Sequence, residues 1–316
     1  EGGYVRIDGL QQGVAGIYGV GEISYKNGEQ EGLFVEAKLY EAQVEKDAEL
    51  LLSGTAIGVE TADGTIVKPS ADKSFSASIT GEGGLRVENT VYLDREQGVR
   101  DPSNPYDFVT DFTGATTIAE GATLVLLGDD LLGTAESHTS GIGLEKNADL
   151  WLQTGVEQHA GTLSAADGAV VHLLAGSKLV LDDENGSGVL AEGSSLTGTG
   201  TLAVDAGELR IDGANAGFSG LAQAGSGLAD GAAFGGRIVL GNADGLGTAD
   251  ALVNSDGELV FDLKGEGDFE NDLFGSGKVI AVDGTTVRID RSAEGATEFK
   301  GTYHAQNGST IVFCGR

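Results

Sequence analysis

The chain has 316 residues with 53 Gly, only 3 Pro, no Met and 40% hydrophobic residues, and 49 acidic against 19 basic side chains leave a net charge of −30. That charge argues against nucleic acid, heparin-like glycans or anionic lipid as partners. Nor is any stretch close to the roughly 18 apolar residues that a membrane helix needs. The glycines fall between regular runs of Leu, Val and Ile, so tight turning between short strands accounts for them better than disorder or collagen triplets. Cys314, the single cysteine, cannot form an internal disulfide. No signal-peptide pattern stands at Glu1, which means little if the chain is an excised fragment.

In chain order, residues 1–32 read as three or four short strands. They include an apolar-Arg-apolar-acid strand, Val5-Arg6-Ile7-Asp8, and a first Gly-x-Gly between aliphatic residues, Ile17-Tyr18-Gly19-Val20-Gly21-Glu22-Ile23. Residues 39–52 are the only helix-like stretch, and they read equally as two strands around a turn at Lys46-Asp47. Residues 61–78 and 94–111 hold all the prolines, which are incompatible with a central stacked strand, so both are expected to leave the body as loops. The Ala/Gly-rich residues 221–236 form a third candidate excursion.

Several pieces recur. The aliphatic Gly-x-Gly unit returns at residues 79–85, 196–202 and 273–279. The Arg-acid strand returns at 85–88, 209–212 and 287–290, and Phe-x-Gly appears at 112–114, 218–220 and 299–301. A fourth unit runs aliphatic, two variable residues, a turn residue, a small residue and then a strand. Its turn positions are Asp47, Gly121, Asn147 and Gly193, residue types that tolerate tight or left-handed backbone. Short strands and turns repeating without helices indicate a β-solenoid. The aliphatic residues Ile17, Ile23, Ile79, Leu85, Leu196, Leu202, Leu273 and Val279 are expected to share one core. Coils of roughly 20–26 residues, stacked about 4.8 Å apart, imply on the order of 13–15 coils and a rod of roughly 65 Å in one domain over 1–316.

Residues 196–247 closely resemble the β-strand repeat of bacterial autotransporter passenger domains. The match lies in the Gly-x-Gly-x-Leu strand, then Gly213-Ala214-Asn215, Phe218-Ser219-Gly220 and the turn Leu240-Gly241-Asn242-Ala243-Asp244-Gly245-Leu246-Gly247. Residues 127–134 look like a variant of that turn, and weaker pieces extend the resemblance over most of the chain. The resemblance implies an all-β, right-handed parallel β-helix carried to the bacterial cell surface, or secreted, through an outer-membrane barrel that is absent from this chain. AIDA-type adhesins and self-associating antigens are the branch it is most similar to.

Catalytic signatures are missing. There is neither the Gly-Asp-Ser-Gly of passenger-type serine proteases nor a Gly-x-Ser-x-Gly elbow. His138, His159, His172 and His304 are scattered, with no i, i+4 pair to suggest a zinc helix. The acidic runs at 182–186 and 242–245 complete no calcium loop and read as plain turns. In the Arg-acid strands the two charges share one face at i and i+2, which makes a repeated structural ion pair a better account than an active site. The expected function is therefore a non-enzymatic adhesin without cofactor or metal. It would mediate aggregation, biofilm formation or host attachment, its partner being itself on a neighbouring cell or a host matrix receptor, with no nucleic acid and no membrane insertion. A polysaccharide-acting enzyme or an inert stalk on the same scaffold are the alternatives. Arg100, Asn104 and Tyr106, in the 94–111 loop, are the candidate contact residues.

Overall fold

The computed structural model describes residues 4–6, 17–20, 38–44, 46, 49–54, 59–60, 66–67, 78–94, 111–227, 235–290 and 299–314. It is a parallel β-helix with three stacked faces. The first face stacks Gly84–Leu93, Ala115–Ile118, Gly141–Leu144, Leu163–Ala165, Ser187–Leu190, Glu208–Ile211, Arg237–Leu240, Glu258–Phe261, Lys278–Ala281 and Thr302–Ala305. The second face begins on the far half of Gly84–Leu93 and continues through Thr123–Leu126, Asp149–Leu152, Val170–Leu173 and Ser195–Gly198. The third face stacks Glu157–Ala160, Lys178–Leu181, Thr201–Val204, Leu221–Ala224, Asp250–Val253 and Leu273–Gly275.

Alternation explains why these strands form. In Glu208–Ile211, Leu209 and Ile211 are fully buried while Glu208 and Arg210 face outward. Ile79, Leu85, Leu196, Leu202, Leu273 and Val279 all lie in one continuous core, as the motif predicts. The side chain of Ile17, and Ile23, fall outside the described residues. Residues 39–52 resolve as the strands Lys38–Gln43 and Glu49–Gly54 with a turn at Lys46. No α-helix occurs among the described residues, where the one helical element is a 3-10 turn at Ala243–Leu246.

Three expectations change. Most steps between stacked strands of the first face fall within 20–26 residues, such as the 20 from Glu258 to Lys278, but the step from Leu85 to Thr116 takes 31 (116 − 85) and that from Glu208 to Arg237 takes 29. The ten described strands of that face, about 4.8 Å apart, make a rod of roughly 43 Å. Near the N-terminal end the pairing is partly antiparallel: Tyr4–Arg6 lies against Glu49–Gly54, and Ile17–Val20 against Lys38–Gln43. Finally, Leu221–Ala224 is a stacked strand between Thr201–Val204 and Asp250–Val253, so it is no part of the excursion expected over 221–236, and residues 228–234 lie outside the described residues. Ala222 and Ala224 face inward there, and methyl side chains suffice to fill that part of the core. Most of 61–78 and 94–111 lies outside the described residues.

The Gly-x-Gly and Phe-x-Gly motifs are two halves of one corner, contributed by successive coils. Gly81 pairs with Phe112, Gly198 with Phe218 and Gly275 with Phe299, each as a parallel bridge. The residue after each phenylalanine donates its N–H to that glycine's carbonyl: Thr113 to Gly81 at 2.9 Å, Ser219 to Gly198 at 2.9 Å and Lys300 to Gly275 at 2.8 Å. Gly81, Gly198 and Gly275 have φ of 100, 98 and 96°, and a Cβ on them would stand 2.2, 2.0 and 2.1 Å from the carbonyl oxygens of Val44, Leu173 and Val253. Glycine is required twice over, by backbone conformation and by close approach. The phenylalanine rings are buried in the core.

Asn215 shows why Gly-Ala-Asn belongs to the same repeat. Its buried side-chain oxygen accepts from Leu196 N–H at 2.6 Å in one coil, and its amide donates to the Gly245 carbonyl at 2.6 Å in the next. Three coils are stitched by one side chain. Asn215→Ala strands a buried donor and a buried acceptor, each costing about 1–3 kcal/mol. Urea unfolding should therefore show a loss of about 2–5 kcal/mol, against less than about 0.5 kcal/mol for Asn185→Ala in an exposed turn.

Candidate interaction face

Four successive strands of the first face carry only neutral outward side chains. On Ala115–Ile118, Gly141–Leu144, Leu163–Ala165 and Ser187–Leu190, the outward positions are Ala115, Thr117, Gly141, Gly143, Ser164, Ser187 and Val189. None is charged, and their registers align them in rows across the ladder. Val189 is 40% exposed. Gly188, on the inward side of the same strand, admits no side chain, because its Cβ would stand 2.0 Å from Leu163 O; this keeps the coils tight and the face flat.

Further along the same face the charges occur as compensating rows. Glu208, Arg237, Glu258 and Lys278 stand in register, with Arg237 Nη1 2.8 Å from Glu208 and Lys278 Nζ 3.0 Å from Glu258. The Arg-acid strands carry out the structural role expected of them and extend it. Arg210 binds its own Asp212 at 2.7 Å and also Asp262, two coils on, at 2.6 Å. Arg86 lies 3.8 Å from Glu88 and binds Glu145, again two coils on, at 3.0 Å. The coil between must be small at that register, and there it carries Ala119 and Gly241; a Cβ on Gly241 would stand 2.2 Å from Asp212. The Arg86 hydrogen bond holds the Glu145 carboxyl below the usual carboxylate range. Arg288 pairs instead with Glu266 and Asp268 on the adjacent coil.

Among the described residues, exposed acidic groups stand at several turns. Glu120, Asp167 and Glu192 project at the corner between the first two faces, and Asp183 and Glu184 at the corner leading out of the third. On the second face His172 stacks on Trp151 with ring centroids 3.5 Å apart and 12° between planes. His138 and His159 converge on Asp182. The sequence signal for that convergence was spacing, since His159 and Asp182 are 23 residues apart, about one coil. Among the described residues no group of His, Cys, Asp and Glu is arranged to hold a metal ion. Arg100, Asn104 and Tyr106 lie outside the described residues. The rows on the first face were not singled out from sequence, because small neutral residues carry no motif.

No protein-family model, curated protein or solved structure matches the chain.

Proposed function

We propose that this chain is a passenger-type β-helix of a bacterial surface adhesin, which joins cells by packing its first face against the same face of a second copy. The observation that carries the reading is the charge distribution. In a molecule of net charge −30, two copies approach most readily where carboxylates are absent, and the four strands Ala115–Ile118, Gly141–Leu144, Leu163–Ala165 and Ser187–Leu190 meet that condition. The aligned Thr, Ser and Gly rows supply hydrogen bonds and close backbone approach there. Each contact is weak, and many parallel rods make the junction avid. The dovetailed Gly-x-Gly and Phe-x-Gly corners, the Asn215 stitch and the turn at Ala243–Leu246 support the passenger-repeat resemblance. On this reading the protein is non-enzymatic and works at the bacterial surface.

The test is aggregation of cells displaying the chain, with Ser164→Glu and Val189→Glu combined. Both positions are exposed, so the fold should persist by circular dichroism. Like charges facing one another across the junction should cut aggregation by roughly tenfold or more. Undiminished aggregation would move the contact off this face.

A further inference from the structure

Residues 127–140 bulge between the second-face strand Thr123–Leu126 and the first-face strand Gly141–Leu144. Their base is firmly seated: Leu132 is fully buried, its N–H donates to Gln158 Oε1 at 3.2 Å, and Gln158 Nε2 donates to the Gly128 carbonyl at 2.7 Å. The tip is held differently. Gly133 and His138 pair antiparallel, Thr134 N–H donates to Ser137 O at 2.7 Å, and the Ser137 hydroxyl donates to Asp111. His138 then reaches across to the third face, where its Nε2 lies 2.8 Å from Asp182 Oδ1 while its Nδ1 lies 3.0 Å from the Thr134 carbonyl.

Both nitrogens of His138 thus face oxygens that can only accept, one a carbonyl and one a carboxylate. His159 meets the same carboxylate, its Nδ1 3.1 Å from Asp182 Oδ2. A neutral imidazole has a single N–H and cannot serve two acceptors; the imidazolium can. We propose that His138, seated on Asp182, is a pH-operated latch that clamps the 133–138 hairpin to the third face when protonated and releases it when neutral.

The surrounding charges favour the clamped form. From the third face come Glu157, His159, Lys178, Asp182 and Asp183; Asp205 follows on the next coil, and Asp111 and Glu136 lie on the bulge side. The Asp182 contact raises the His138 pKa above the ordinary histidine value and outweighs the opposing effect of burial. Burial pushes Asp182 up, but its contacts with His138 and His159 prevail and hold it below the usual range. The signs define a window. His138 stabilises the clamp fully below its unfolded pKa, and the contribution is lost as pH rises through its raised folded value. Asp182 contributes above its own unfolded pKa and loses that as pH falls through its lowered folded value. The latch is shut in mild acid and opens toward alkaline pH, while the buried Leu132 base stays in place.

Hydrogen exchange of the 134–138 amides, corrected for intrinsic rate, tests this between pH 5 and pH 8. Protection in the intact chain should fall by roughly tenfold across that range, while amides of Thr201–Val204 keep theirs. His138→Gln and Asp182→Asn should each abolish the step, leaving the tip exchanging fast throughout, whereas His172→Gln should retain it. If Asp182→Asn does not fold, His138→Gln decides alone. A tip whose protection does not change with pH, or a step that survives in His138→Gln, overturns the proposal.

Discussion

Gly198→Val is expected to destabilise the protein by roughly 2–6 kcal/mol and to melt the coils on either side of it. Two costs add. A β-branched residue at φ 98° is strained by about 1–3 kcal/mol. Its Cβ must also displace the Leu173 carbonyl, which lies 2.0 Å from the Cβ position, and forced overpacking adds about 1–3 kcal/mol. Gly198 itself pairs with Phe218 and Ser219 on the next coil, so the damage spreads upward. Gly121→Ala is the control. Gly121 also has positive φ, at 68°, but nothing lies within 4 Å of its Cβ position, so only about 1 kcal/mol of conformational cost remains. Urea unfolding of the two variants against the parent separates close approach from backbone conformation. Equal losses would mean that the corner is not close-packed.

Leu202→Asp should have the larger effect. Leu202 is fully buried at the centre of the third face, between Leu179 and Ala222 in register. The substitution forfeits about 1.5–3 kcal/mol of burial and places a carboxylate in an apolar core without a partner, so a total above about 4 kcal/mol is expected. In a solenoid each coil contacts mainly its neighbours, and the loss should remain local. Amide exchange should quicken over Lys178–Leu181, Thr201–Val204 and Leu221–Ala224, and much less at Thr286–Asp290. Thr201→Asp, one residue away on the outward side, should change stability by less than about 0.5 kcal/mol. Uniform loss of protection along the rod would show a single cooperative unit instead of stacked coils.

Much of the fold was legible because its determinants are local. Alternation marked the strands, and the turn residues marked the corners: Asn147 and Gly121 adopt the left-handed backbone, with φ of 57 and 68°, whereas Gly193 at the same place in the repeat does not, and Asp47 lies outside the described residues. Gly168, at φ 75° before the buried Ala169, is a further copy of that turn unit. What stayed hidden lies between coils. Gly-x-Gly and Phe-x-Gly were visible separately, but their mating needs the coil length, which varies from turn to turn with the projecting segments. The same holds for Arg86 with Glu145 and Arg210 with Asp262, each pair spanning two coils. His138, His159 and Asp182 looked scattered for that reason too. The neutral first face was invisible because its meaning is a contrast with the acidic turns, and the contrast appears only once the strands are stacked.

Association through the first face makes a demand on salt that an ion-paired junction does not. The Debye length falls from about 30 Å at 0.01 M to about 8 Å at 0.15 M salt. Screening then removes repulsion between the acidic corners of two copies while leaving short hydrogen bonds between Thr, Ser and Gly rows intact. Sedimentation velocity of the purified chain at both salt concentrations measures this directly. The account predicts monomers at 0.01 M, reversible association at 0.15 M, and monomers at both for the Ser164→Glu, Val189→Glu variant. Association that weakens as salt is added, or a parent chain that is monomeric at both concentrations at the protein densities of a cell surface, would contradict it.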